Sequence, residues 1–178
     1  MTGGTGDIKP QIMVFANAIA ADDYTVVRQV LPVPRFGTQK SKSTIFEILT
    51  LRYIFSSQGS ETGATIWGYM TPTTVIENDD TSNATTFQVD IRSSRNFGFV
   101  YWTTNLVTEG GNNTKWPITV DMTDRNGNGF LIATDEMNFV CGNTGASTGH
   151  CRVEVTYRLV NVGLEEYVGI VQSQTSAQ

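Results

Sequence analysis

Residues 151–174 read CRVEVTYRLVNVGLEEYVGIVQSQ, and the first half of this stretch decides the fold class. Val153, Val155, Tyr157 and Leu159 fall on one parity; Arg152, Glu154, Thr156 and Arg158 fall on the other. Successive side chains of a strand point to opposite faces, so this is a strand with one buried face and one charged face. Val, Tyr and Thr also suit a pleated, half-buried surface. The apolar tail that follows, residues 164–171, needs a cover. Together they read as a strand that finishes its own sheet and then offers surface to a neighbouring chain.

Upstream, the same period of two recurs. Residues 85–92 alternate Phe87, Val89 and Ile91 against Gln88, Asp90 and Arg92, and residues 118–122 alternate again. Residues 44–55, TIFEILTLRYIF, are apolar on both parities except at Glu47, Thr50 and Arg52. Their Ile, Thr, Tyr and Phe content, and the turn signals over residues 56–63, favour a long central strand over a helix. Residues 24–31 read as a strand stopped by Pro32 and Pro34, which cannot donate to a ladder. Shorter candidates lie at residues 64–70, 73–76, 96–103, 130–133 and 136–140. Residues 11–21 are apolar and Ala-rich and suit a strand or a short helix. No segment shows a convincing amphipathic helical period. Nine or ten strand candidates separated by Gly-, Asn- and Pro-bearing turns imply an antiparallel sandwich or barrel.

The 178 residues suffice for one domain with a core that needs no disulfide or metal. Charged residues make up 16% of the chain, below the roughly 25% of ordinary soluble domains, which leaves much neutral surface for association. The formal net charge is −5, with no basic block, which argues against a free-standing nucleic-acid binder. No apolar run approaches a membrane span, and the first ten residues carry no signal-peptide pattern. The two Asn-x-Thr matches, at Asn83 and Asn112, read as chance in that context.

Catalysis has little to stand on. His150 is the only histidine, and no nucleophile elbow appears. Cys141, His150 and Cys151 do not have zinc-finger spacing, and a fourth ligand is not apparent. The two cysteines flank what reads as a hairpin, so they are either a cross-strand disulfide or two buried thiols. Asp124-x-Asn126-x-Asn128-Gly129, with Asp135 eleven residues after Asp124, follows the ligand spacing of a calcium loop. Its flanks read as strands rather than paired helices, and Asx-Gly is also ordinary turn chemistry. Arg35, Lys40 and Lys42 form the densest positive cluster and are the candidates to meet nucleic-acid phosphate. Trp67, Trp102 and Trp116 are either core aromatics or a platform for sugars or bases.

Three segments carry a resemblance: residues 44–55; the run ITVDMTDRNGNGFLIATDEM; and the closing VEVTYRLVNVGLEEYVGIVQSQ. They resemble capsid proteins of small, environmentally sampled viruses with circular, Rep-encoding single-stranded DNA genomes. The middle motif is carried by Thr123, Asp124, Gly127, Gly129, Leu131, Ala133, Thr134 and Asp135. The closing one is carried by Tyr157, Arg158, Asn161, Val162, Leu164, Glu166, Tyr167, Gly169, Ile170, Val171, Gln172, Ser173 and Gln174. The resemblance covers less than half the chain. It implies an all-β, single eight-stranded antiparallel jelly-roll sandwich that self-assembles as a homo-oligomer into an icosahedral shell, a virion component with a multiple of sixty copies around single-stranded DNA. Many such capsids begin with an Arg/Lys-rich arm; residues 1–20 here contain only Lys9 as a cation. The inner surface would then use the Arg35–Lys42 loop or charge from another component.

The chain is thus expected to comprise a mobile N-terminal segment over residues 1–10, a jelly-roll domain over residues 11–171 and a tail over residues 172–178. It is expected to be a capsid protein and no enzyme, with Leu164, Tyr167, Val168 and Ile170 as subunit contacts. A monomeric β-sandwich module that binds carbohydrate, with or without calcium, is the rival reading.

Overall fold

The computed structural model describes residues 9–31, 42–58, 63–72, 96–104, 112–114 and 116–175. In chain order its elements are β1 (Gln11–Ile19), β2 (Asp23–Val30), β3 (Lys42–Gln58), β4 (Thr65–Thr71), β5 (Phe97–Thr103), β6 (Asn112–Thr114), β7 (Ile118–Asp121), β8 (Phe130–Ile132), β9 (Glu136–Asn143), β10 (Gly149–Gly163) and the helix α1 (Leu164–Thr175). The alternating segment forms most of β10. It lies between β1 and β3, antiparallel to both. The long apolar segment is β3, central as its two-sided hydrophobicity requires. Residues 11–21, undecided by periodicity, supply β1. The candidate strands at residues 73–76 and 85–92, and Arg35 and Lys40, lie outside the described residues.

On the far side of β3 three short strands follow one another antiparallel: β6 opposite Ser56–Gln58, β7 opposite Thr50–Tyr53 and β8 opposite Phe46–Ile48. They are one interrupted edge strand. Residues 122–129 are an excursion from it, leaving after Asp121, opposite Thr50, and returning at Phe130, opposite Ile48. With β6, β7 and β8 taken as one, the first sheet reads β1, β10, β3, β6–β8 and the second β2, β9, β4, β5. That is four strands in each and eight in all, with consecutive strands passing between the sheets except β4 and β5, which are neighbours in the second. This is the jelly-roll arrangement, and the all-β expectation holds.

Inward-facing positions of both sheets fill one core that includes Phe15, Leu51, Tyr53, Phe55, Ile66, Met70, Phe139, Val153 and Val155. Burying each such side chain contributes about 1.5–3 kcal/mol. Tyr53 is fully buried, and its hydroxyl is satisfied across the sandwich by the Gly98 carbonyl at 2.6 Å. Gly98 has φ +64°, and a methyl group there would overlap Leu51, so only glycine fits this bulge against β3.

Two expectations are corrected. Residues 164–171, expected as an apolar tail without helical period, begin α1, which runs on to Thr175 across the expected boundary at residue 172. Its inward positions are Tyr167, Ile170, Val171 and Gln174, spaced three, four and seven residues from the first, as one helical face requires. Cys141 and Cys151 do not flank a hairpin either. They lie on β9 and β10, in different sheets, and face each other through the core as two buried free thiols.

Candidate functional site

The polar parity of β10 faces outward and organises the outer face of the first sheet. Arg52 and Glu154 are directly opposite on β3 and β10, and Arg52 Nη1 donates to Glu154 Oε2 at 2.9 Å. Arg152 Nη2 takes the other oxygen at 2.8 Å. The two guanidiniums hold Glu154 below the usual carboxylate range, Arg52 contributing most. Both Arg side chains stay 49% exposed, so each pair is worth little to stability. Beside Arg152 a shallow depression of about 280 Å³ is lined by Ala16, Asn17, Ile54, Ser56 and His150.

Further along the same face, Arg158 meets Glu47. Arg158 Nε donates to Glu47 Oε2 at 2.5 Å, and Nη2 donates to Oε1 at 3.0 Å. Glu47 is buried and takes a third donor, the Gly129 N–H, at 2.6 Å. A buried carboxylate survives only with such partners. Arg158 outweighs burial and holds the Glu47 carboxyl below its ordinary value. Arg158 Nη2 also reaches the Gly127 carbonyl at 3.4 Å. A methyl group on Gly129 would overlap the Ile48 carbonyl, so the excursion lies flat on β3.

Inside that excursion, Asp124 is the acceptor at the centre. Its Oδ1 accepts from the N–H of Asn126 at 2.8 Å and of Asn128 at 2.9 Å. Its Oδ2 accepts from the Asn128 side-chain amide at 3.1 Å. Gly127 takes positive φ, at 79°, as the turn demands. Both carboxylate oxygens therefore close the turn, and Asn128 presents its amide nitrogen rather than an oxygen. Asp135 lies beyond β8, where its carbonyl accepts from Leu31 N–H at 2.9 Å. Among the described residues no group of three or more His, Cys, Asp and Glu side chains is placed to hold a metal ion. Asx-turn chemistry thus accounts for the spacing that also suits a calcium loop.

Helix α1 packs on one end of this outer face, over Ile45, Leu131, Val160 and Val162. Gln174 is its anchor. The buried side-chain amide donates to the Leu131 carbonyl at 2.6 Å and accepts from Ala133 N–H at 3.1 Å. It does for the edge of β8 what a neighbouring strand would do. Of the four expected contact residues, Tyr167 and Ile170 pack into the chain's own structure, while Leu164 and Val168 stay exposed. Of the expected phosphate-binding cations, only the backbone of Lys42, paired with Gly163, falls within the described residues.

Trp67 and Trp102 are buried, whereas Trp116 is 86% exposed. Trp67 lies on Gly142 of β9, where any side chain would overlap its ring.

The two motifs at residues 123–135 and 157–174 meet in space. Arg158 reaches Gly127, and Gln174 reaches both Leu131 and Ala133. Residues that are distant in sequence form one connected unit on the outer face of the first sheet.

No protein-family model matches the sequence, and no curated protein matches it. Solved structures do. Merkel cell polyomavirus VP1 in complex with 3'-sialyllactosamine is 12% identical, with 91% of this chain and 99% of that chain covered at a TM-score of 0.50. The same protein in complex with disialyllactose gives 12% identity, 89% and 98% coverage and a TM-score of 0.50. At that identity the likeness is one of fold, and it extends over nearly the whole of both chains: this chain has the jelly-roll sandwich of the polyomavirus VP1 proteins.

Proposed function

We propose that this chain is the structural subunit of a viral capsid, assembling with copies of itself into a closed icosahedral shell. The observation that carries the reading is the extent of the likeness: a jelly roll of the VP1 kind accounts for about nine-tenths of the chain and leaves no room for a second described domain. A low share of charged residues and exposed apolar side chains on α1, β1 and β5 fit a protein that buries surface between copies.

The motif resemblance narrows the reading to the small circular single-stranded DNA viruses, with a multiple of sixty copies per virion. Contact between the two motifs supports it, because a shared structural unit gives residues far apart in sequence a reason to occur together. Genome contact in this reading falls to Arg35, Lys40 and Lys42, or to the outer-face arginines.

Size-exclusion chromatography followed by negative-stain electron microscopy tests the proposal. Closed, uniform shells are expected, and absorbance at 260 against 280 nm reports whether nucleic acid is inside. A monodisperse monomer across salt and pH overturns it. The rival carbohydrate-binding reading retains Trp116 but loses Trp67 and Trp102 to the interior. It would require Trp fluorescence of a monomer to shift on sugar titration.

A further inference from the structure

Helix α1 covers one end of the first sheet's outer face and leaves the other end open. From Ile45, beneath the helix, to Arg52 is seven residues along β3, about 23 Å. At the open end Ile12, 66% exposed, and Val14, 38% exposed, stand on β1 with Ala16, and Arg152 and Glu154 on β10 separate them from Ile54 on β3. Arg152 borders this apolar strip, Arg52 lies one strand further on, and the depression opens next to Arg152. Two guanidiniums share the single carboxylate of Glu154, so among the described residues one of them has no carboxylate of its own. Asp121, beyond Arg52 on β7, is engaged with the N–H and hydroxyl of Thr123.

The outward side of α1 has the complementary character. Leu164 and Val168, one helical turn apart, are 52% and 43% exposed. Glu165, exposed and about 60° round the helix from Val168, pairs with no described cation.

We propose that α1 of one copy docks through Leu164, Glu165 and Val168 on the Arg52–Arg152 end of the first sheet of a second copy. Apolar side chains meet apolar side chains, and Glu165 meets the guanidiniums. A helix lying on this sheet face is an arrangement each chain already makes at the other end. The donating and receiving patches differ, so the contact is head-to-tail, and repetition generates a ring when the rotation closes. The inference rests on the shell reading and adds to it which two surfaces join.

The test uses the full chain and charge exchange. Glu165→Arg forms one variant, Arg152→Glu a second, and both substitutions together a third. Circular dichroism and melting confirm that each folds. The assembled fraction is expected to fall by about tenfold or more in the first two and to return in the third. Assembly that is undiminished in the first two, or that is not restored in the third, overturns the docking while leaving the shell reading in place. Wild-type protein that remains monomeric overturns both. Should Arg152→Glu fail to fold beside Glu154, Leu164→Asp with Val168→Asp reads the same contact from two exposed positions. A folded monomer is expected from that variant, and normal assembly overturns the docking.

Discussion

Arg158 and Glu47 stand directly opposite one another on β10 and β3, joined by two hydrogen bonds of 2.5 and 3.0 Å, and the same carboxylate holds the Gly129 N–H of the excursion between β7 and β8. One buried carboxylate thus ties together the central strand pair, the interrupted edge strand and the two sequence motifs. The register slips by one residue between Thr156 and Tyr157, just before this pair. That irregularity sets Arg158 opposite Glu47.

Arg158→Ala leaves Glu47 buried with only a backbone partner. Removing one member of a buried pair costs about 3–5 kcal/mol, and Arg158 is 38% exposed, so a loss of about 2–3 kcal/mol is expected in urea unfolding. A double substitution, Glu47→Leu with Arg158→Leu, should be milder than Arg158→Ala alone, because no charge is stranded.

Acid should act through the same group. The folded Glu47 carboxyl lies below its ordinary 4.5, chiefly through Arg158. Its contribution is therefore fully present above about pH 4.5 and is lost as pH falls through the lower folded value. Melting temperature against pH should drop on the acid side in the wild type. In Glu47→Gln the drop should be shallower, and equal slopes would remove Glu47 from the acid response.

Asp124→Ala removes the acceptor that closes the turn. It should lower the melting temperature by the same amount in calcium and in chelator, because the carboxylate serves three N–H donors of its own loop. A stabilisation of the wild type by calcium that disappears in the variant would assign the loop to a cation instead.

Gln174→Ala strips the edge of β8 of both its side-chain partners. About 1–3 kcal/mol should be lost, the cost of unsatisfied buried groups. Amide hydrogen exchange at Ala133 should accelerate, which a merely local loss in the helix would not produce.

The two thiols should be inert in the native protein. Cys141 and Cys151 are buried between the sheets, and burial pushes the Cys151 thiol well up. Neither should react with a thiol reagent until denaturant is added, and both should react then.

The sequence is transparent where one face of an element is dry and the other wet. In β10, Val153 and Val155 are fully buried while Arg152 is exposed, and the alternation says so at once. Two-sided burial made β3 equally plain. Helix α1 is opaque for a physical reason. Its buried face includes a polar residue, Gln174, and its exposed face includes Leu164 and Val168. Apolar content therefore runs all round, and the run at residues 164–171 carries no visible period. The cysteines mislead differently. Nine residues between two strands suggest a hairpin, but a jelly roll passes its chain from one sheet to the other there. Gly142 and Asn143 read as loop by composition, although β9 runs through both: glycine is needed under Trp67, and the Asn143 amide donates to the Ala20 and Ser147 carbonyls. At the candidate site the excursion was legible as a turn, but its partner Glu47 was not. A lone acid in an apolar strand declares a need for a partner without naming Arg158, 111 residues away.

The place of β10 bears on how the chain is made. β1 and β3 do not pair with each other; each pairs with β10, which lies more than ninety residues beyond both. During synthesis the ribosome must therefore deliver residues as far as 163 before the first sheet can close. Until then the nascent chain holds two long strands with open edges, the state most exposed to mispairing with other nascent copies. Folding should be slow, limited by a late long-range closure. The helix that follows β10 rests on Ile45 and Leu131 and so cannot seat before that closure. In the proposed shell, a subunit whose sheet is still incomplete presents neither docking surface in finished form, so maturation of the monomer sets the earliest moment at which copies could begin to join.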